Sequence, residues 1–173
     1  RPVFEAAATA TRRIVFAEGE DERVLRCAQA TLEDLSEFPI LLGRPEVIAA
    51  RFQGKRLNSP NDVVLRSDGC VWFTDPPYGI NSDIEGYPAE SEIGGCYVFC
   101  AEPDGTLHAV ATDFDKPNGL AFSPDESRLY VADSGAIKGA SFPGIDYDLP
   151  HHIRVFDVQG TTLCNPRVFA VLA

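Results

Sequence analysis

Hydrophobic positions follow two rhythms along this chain, and the change falls near residue 51. In TRRIVFAEGEDERVLRCAQATLEDL, a short apolar run over 14–16 predicts a strand. Val24, Leu25, Ala28 and Leu32, at helical spacing, predict a helix after it. Glu20, Asp21 and Glu22 crowd the first turn of that helix, where carboxylates complement the macrodipole. FPILLG at 38–43 reads as a second strand, followed by a short helix from Pro45. Strand–helix–strand–helix is the order of an α/β unit.

Beyond residue 51 the pattern is all-β. Short β-rich runs alternate with turn signals: DVVL, SDG, VWFTD; then YVFC, PDG, LHAVA. The same order returns as GLAF, SPDES, RLYVAD, then HIRVFDV, QG, RVFAVL. Asn61 to Asn118 is 57 positions, and Val98-Phe99 to Val155-Phe156 is again 57. Two copies of a four-stranded unit, about 60–114 and 117–171, are the signature of propeller blades. The expected fold is therefore mostly β: a partial β-propeller of two blades over 52–173, preceded by a small α/β segment over 1–50. The loops 76–95 and 134–151 each follow the second strand of their unit and should emerge at one end of the blades, and loops on a rigid scaffold commonly carry function. Trp72, Phe73, Tyr130 and Phe156 fall within strands and read as blade packing.

Composition narrows the classes. A hydrophobic content of 45% fits a chain with a real core, and no apolar run approaches the roughly 18 residues of a membrane span. The net charge of −11, from 15 basic and 26 acidic residues, argues against nucleic acid and anionic membrane as partners. It suits a cation-binding protein or one with a neutral substrate. Cys27, Cys70, Cys96, Cys100 and Cys164 are odd in number and contain no CxxC pair, so they read as free thiols in a reducing, cytoplasmic compartment. No secretory signal is visible. The absence of any methionine suggests a chain processed, trimmed or cut from something longer. GxSxG, Walker and Rossmann motifs are missing.

Candidate chemistry centres on the repeated Pro-Asn words. Each places an Asn just before an innermost strand, where a side chain can face the mouth of a propeller channel. Asn oxygens from successive blades could join a calcium cage; equally, an Asn before a strand can be a turn residue bonded to its own backbone. Asp75 and Asp133 close the second strand of each copy, as turn, channel-lining or catalytic carboxylates. His151-His152 with Asp146 and Asp148 reads as a loop-to-strand junction more readily than as a zinc site. Glu18, Glu20, Asp21 and Glu22 read as a helix start rather than a metal site.

Two resemblances add to this reading. RIVFAEGEDERVLR at 13–26 and PILLGRPEVI at 39–48 resemble the start of the phosphotransacetylase-like domain found at the C-terminal end of bacterial malic enzymes. Only about residues 1–50 are involved, and that family's acyl-phosphate and coenzyme A groups come mostly from later segments, so acetyl transfer is not expected. From about residue 52 onward the chain resembles the gluconolactonase/regucalcin-like (SMP-30/gluconolactonase/LRE-like) six-bladed propellers. The matching words are RLNSPNDVVLRSDGCVWFTDPPYG at 56–79, ESEIGG at 90–95, KPNGLAFSPD at 116–125, LYVADSG at 129–135 and HHIRVFDV at 151–158.

That resemblance implies hydrolysis of lactones or related esters assisted by a divalent metal, Ca²⁺ with Zn²⁺ or Mg²⁺ as alternatives. Carried over residue by residue, it implies Asn61 and Asn118 in the metal and substrate site as metal ligands, and Asp62 resembles the Asp that paraoxonase-like relatives turn toward metal; Asp62, Asp75 and Asp133 are the candidate catalytic carboxylates. From the sequence itself, Tyr78, Glu90 and Glu92 are candidate substrate contacts, with solvation the default for the two glutamates in the long loop. The family's other metal ligands, a Glu in an early blade and an Asp in a PDG word after the RVF strand, have no counterpart here, so an incomplete metal site is expected. The expected partner is a small lactone or ester, and open sheet edges predict a homo-oligomer. The alternative functions are a non-catalytic chimeric or truncated propeller fragment, or a small binding module that uses the loops at 76–95 and 134–151.

Overall fold

The computed structural model describes residues 15–16, 40–41, 48–84, 86–138 and 144–172. The chain divides into two units, Arg1–Ile48 and Ala49–Ala173. In the first, β1 (Val15–Phe16) pairs in parallel with β2 (Ile40–Leu41), Val15 opposite Ile40. Parallel neighbours require a crossover between them. The helix expected to supply it lies outside the described residues, as do Glu18, Glu20, Asp21, Glu22, Cys27 and the start of the helix expected at Pro45. No helix among the described residues is long and apolar enough to cross a membrane.

The second unit is built from two four-stranded antiparallel sheets. The first has the order β5 (Val63–Leu65), β6 (Val71–Asp75), β7 (Cys96–Ala101), β8 (Leu107–Phe114). The second has β9 (Pro117–Phe122), β10 (Arg128–Asp133), β11 (His152–Gln159), β12 (Thr162–Val171). Sequential antiparallel strands in this order are the form of a propeller blade. Alternation explains why these segments fold so. On β10, Leu129, Val131 and Asp133 are buried while Arg128 is exposed and Tyr130 and Ala132 are half-buried, as the two-residue period of a strand requires.

The core lies between the blades. Cys70, Trp72, Val98, Cys100, Ala111 and Phe114 from the first meet Leu120, Leu129, Val131 and Phe156 from the second. Trp72, fully buried, sets its ring edge-on to Phe122 at 5.5 Å, a geometry that aromatic quadrupoles favour. The opposite face of the first blade is covered by a hairpin that the sequence pattern did not reveal, β3 (Arg51–Phe52) and β4 (Lys55–Arg56). Its turn residues Gln53 and Gly54 both take positive φ, 51° and 81°, as the tight turns that suit a twisted hairpin demand. Phe52 then packs edge-on against Phe99, which stacks on Phe73.

Polar seams close the joint between blades. Arg66 Nη1 donates to the Gly160 carbonyl at 2.7 Å, and the Ser67 N–H donates to Glu126 Oε1 at 2.9 Å. At the outer edge the Arg154 guanidinium forms a two-point ion pair with Asp113, 3.0 and 2.9 Å. The same guanidinium lies 4.4 Å from the ring centre of Phe114 and 4.9 Å from that of Phe156.

Within each blade a buried carboxylate fixes the chain leading into the innermost strand. Asp75, fully buried, accepts the N–H groups of Asn58 at 2.8 Å and Ser59 at 2.7 Å, one on each oxygen. Asp133, also buried, accepts those of Lys116 at 2.9 Å and Asp115 at 3.1 Å. Burial pushes the Asp75 carboxyl up to about 6, outweighing the two N–H donors that favour its charged form.

Two predictions follow from these contacts. Arg154→Ala removes both the ion pair and the cation–π contacts and should cost about 2 kcal/mol, with Arg154→Lys intermediate, read by urea unfolding through the single tryptophan, Trp72. For Asp75, the native chain keeps a proton that the unfolded chain releases near pH 4. Its contribution to stability is therefore complete below pH 4 and is lost as pH rises through 6, a decline of at most about 3 kcal/mol. Unfolding between pH 4 and 7 should show that slope in the wild type and lose it in Asp75→Asn.

Candidate functional site

The two Pro-Asn words mark the same backbone irregularity. In the first, the Asn61 N–H donates to the Thr74 carbonyl at 2.9 Å while the Thr74 N–H donates to the Asp62 carbonyl at 3.0 Å. Asn61 and Asp62 thus oppose the single residue Thr74, which is a β-bulge. In the second, Leu120 pairs with Val131 and Pro117 with Asp133, with a register shift between them. Asn118 and Gly119 there oppose the single residue Ala132. The 57-residue spacing of the Asn pair and the 58-residue spacing of the Asp pair differ by one extra residue in the β9–β10 turn, where Glu126 takes φ 55°. Asn118 lies within β9, whereas Asn61 stands two residues ahead of β5, because the bulge ends the shorter ladder early.

Asp62 joins the two bulges. Its Oδ1 accepts the N–H of Val63 at 2.9 Å, and its Oδ2 accepts the N–H of Leu120, on the neighbouring blade, at 3.1 Å. Asn61 and Asn118 therefore stand at the same end of adjacent innermost strands, Asn61 exposed and Asn118 half-buried. Neither side-chain amide has a hydrogen-bond partner among the described residues. Half-buried Asp62 keeps a free lone pair on each oxygen, since a carboxylate offers about four acceptor sites.

The other expected site residues fall elsewhere. Asp75 and Asp133, candidates for catalysis, have both oxygens on backbone N–H groups and are buried, so they hold the bulged segments in place instead of facing solvent. Tyr78, in the one-turn helix α1 (Tyr78–Asn81), is buried and donates its hydroxyl to the Ser134 carbonyl at 3.3 Å. Glu92 accepts the Arg56 N–H at 2.7 Å and lies 3.5 Å from the Arg56 Nε, so it belongs with the β3–β4 hairpin. That N–H and the Arg56 charge hold its carboxyl below the usual range. Glu90 is exposed. Of the eight candidates, Asn61, Asp62 and Asn118 lie at the two bulges, which the Leu120 N–H joins through Asp62 Oδ2.

One positioning residue escaped the sequence reading. Asn58, buried, donates its amide to the carbonyls of Asp75 at 3.1 Å and Gly95 at 2.9 Å, and accepts from Ser91 Oγ at 2.6 Å. It anchors both ends of the 76–95 loop. Its signal was its place in LNSPND, three residues before Asn61.

Neutral amide oxygens suit a hard cation such as Ca²⁺ in kind. In number, two fall short of the six to eight oxygens Ca²⁺ takes, and among the described residues no cluster of three or more His, Cys, Asp or Glu is placed to hold a metal. Thiol chemistry finds no support at three of the four described cysteines. Burial raises the Cys70 thiol and pushes Cys96 to about 11 and Cys100 to about 12, far from a reactive thiolate.

Comparison with known proteins identifies the family. The chain is 39% identical over 116 residues to the gluconolactonase of Zymomonas mobilis, covering 67% of this chain and 32% of that protein. It is also 52% identical over 79 residues to an NAD-dependent malic enzyme of Rhizobium meliloti, 43% of this chain and 10% of that one. A solved gluconolactonase from Xanthomonas campestris superposes with a TM-score of 0.61 at 39% identity, covering 72% of this chain and 37% of its own. The chain thus spans about a third of the gluconolactonases it matches. The pattern described as the SMP-30/Gluconolactonase/LRE-like region matches residues 5–172, and the chain belongs to that family.

Proposed function

We propose that this chain contributes to the hydrolysis of a lactone or related ester, with Asn61, Asn118 and Asp62 at the reacting centre. The observation that carries the reading is the pair of bulges. They bring two unbonded Asn amides to one end of adjacent strands, beside a carboxylate that bridges those strands. Bulges recur next to active sites because they re-aim a side chain out of the regular ladder.

The roles follow from chemistry. Asp62, fixed in orientation by the N–H groups of Val63 and Leu120, accepts a proton from the water that attacks the carbonyl carbon, and returns it to the ring oxygen as the ring C–O bond breaks, leaving the hydroxy acid. Asn61 and Asn118 are the residues that would hold a divalent cation through their side-chain oxygens. When bound, such a cation would supply Lewis-acid polarisation of a lactone carbonyl. Ca²⁺ fits two neutral oxygens better than Zn²⁺, which favours nitrogen and sulfur, or Mg²⁺, which demands a near-ideal octahedron. Two neutral oxygens alone would hold it weakly, because affinity follows ligand number and charge. Asp75, Asp133 and Asn58 support the centre by holding the backbone on either side of the bulges. A second copy of the chain is the proposed partner where sheet edges stand open.

The test is hydrolysis of δ-gluconolactone and an aryl ester with added Ca²⁺ and with chelator. Activity should vanish in chelator and return with Ca²⁺, and Asp62→Asn should lower kcat by a hundredfold or more. Asn61→Ala and Asn118→Ala should each raise the half-saturating Ca²⁺ concentration about tenfold, read independently by terbium luminescence. Hydrolysis indifferent to chelator and to both Asn substitutions would remove the metal from this reading. No hydrolysis under any condition would make the chain a non-catalytic member of its family.

A further inference from the structure

The two bulges share a backbone form and differ in the side chains that fill it. The 57-residue offset of the Asn pair sets Asp62 against Gly119, and the 58-residue offset of the Asp pair sets Thr74 against Ala132. Each set meets across one bulge: Asn61 and Asp62 oppose Thr74, and Asn118 and Gly119 oppose Ala132. The first blade therefore carries a carboxylate and a hydroxyl where the second has a hydrogen atom and a methyl group. Both differences fall on the blade whose carboxylate reaches across to the other.

Thr74 stands where a hydroxyl is unfavourable. It is fully buried, and it lies opposite Val98, two positions along from the pair of Trp72 and Cys100. Its side chain thus shares the face on which Trp72, Val98 and Cys100 pack against the second blade. A hydroxyl among such neighbours costs free energy unless it is bonded, and valine has the same shape without that cost. The partner is the Asp62 N–H, which donates to Thr74 Oγ1 at 3.3 Å. The Thr74 main chain serves the same bulge, its carbonyl accepting the Asn61 N–H and its own N–H donating to the Asp62 carbonyl. Thr74 thus holds both main-chain polar groups of Asp62.

The effect reaches the other end of Asp62. With its main chain fixed, its side chain is aimed across the joint, Oδ1 on the Val63 N–H and Oδ2 on the Leu120 N–H. A bulge leaves its extra residue out of the regular ladder, so the Asp62 N–H depends on a side chain for its acceptor. Deprived of that acceptor, the N–H turns toward water to be satisfied, and the carboxylate turns with it, away from Leu120.

We infer that Thr74 is a positioning residue for Asp62: its buried hydroxyl holds the Asp62 N–H and, through it, the aim of the carboxylate at Leu120 and at the reacting centre. The inference rests on the proposed role of Asp62 in hydrolysis, while the placement of Asp62 has a readout of its own.

The test compares Thr74→Val, which keeps the shape and loses the hydroxyl, with Thr74→Ser, which keeps the hydroxyl and loses the methyl group. Amide hydrogen exchange followed by NMR reads the Leu120 N–H, with the amides of Phe99 and Val131, inside the two blades, as references. In Thr74→Val the Leu120 amide should exchange about tenfold faster while the references keep their rates; in Thr74→Ser it should stay close to the wild type. In hydrolysis, Thr74→Val should lower kcat about tenfold with KM unchanged, and Thr74→Ser should recover most of that loss. Added to Asp62→Asn, Thr74→Val should lower kcat no further, since the two residues act as one unit. A Thr74 that only packs would reverse the order, serine doing more harm than valine, and that result overturns the inference. Unchanged Leu120 exchange in Thr74→Val overturns it too, whatever the rate does. Faster exchange at Leu120 in a chain that hydrolyses nothing supports the positioning and removes the catalytic reading. Should Thr74→Val fail to fold, Thr74→Ala, the side chain the second blade carries at this place, is read in the same way.

Discussion

A four-stranded blade has two faces, and both need cover before its strands are stable. The burial of Trp72 between the blades meets that need for the inner faces of both, and the site depends on it. The bond from Asp62 to the Leu120 N–H forms only because the sheets are held face to face. On the far face of the first blade, Phe52 supplies the second cover. On the far face of the second, Tyr130 and Phe169 meet edge-on at 4.9 Å, and Phe169 stays 60% exposed.

What the inner packing delivers is a pair of backbone defects in register. A regular antiparallel ladder turns each side chain to one of two faces. The bulges at Asn61-Asp62 and Asn118-Gly119 break that alternation at equivalent places, leaving two amides outside the hydrogen-bonded pattern. Maintaining a bulge requires that the chain before it be fixed, and here Asp75 and Asp133 do so from inside the blades. The repeated spelling Pro-Asn…Asp therefore records two linked requirements, an irregular strand entry and the buried carboxylate that holds it.

Much of this was legible in the sequence. The 57-residue period, the alternation of VWFTD and RLYVAD, and the SDG and PDES turns specify two blades because strand period and turn chemistry are local properties. Trp72, Phe73 and Phe156 read as packing from their strand positions alone. The hairpin at 51–56 was illegible, since RFQGKR carries one apolar residue and its partner, Phe99, is remote in sequence. The work of Asp75 and Asp133 was illegible for a different reason: their partners are backbone N–H groups, which every residue but proline carries and no sequence pattern distinguishes. Tyr78 and Glu92 likewise bond to main-chain atoms that the sequence does not spell out. Asn61 and Asn118 could be singled out because the word repeats, and their shared bulge could not, because bulges depend on pairing register.

The acidic composition has the same explanation. A charge of −11 suits a protein that attracts cations, yet the described carboxylates are largely engaged by the backbone. Asp68, Asp104, Asp125 and Asp146 each accept the N–H two residues further on, closing the turns that join strands or shape the loops. Asp75 and Asp133 hold strand entries, Asp62 bridges blades, and Asp113 and Asp157 pair with Arg154 and Arg167. Turn-rich β architecture consumes aspartate, because its short side chain reaches back to its own main chain. At the two bulges, the side chains without a hydrogen-bond partner among the described residues are the neutral amides of Asn61 and Asn118, beside the half-used carboxylate of Asp62. Neutral amides beside a single carboxylate suit charge that develops during a reaction more readily than charge a ligand brings with it, because they add little fixed charge of their own.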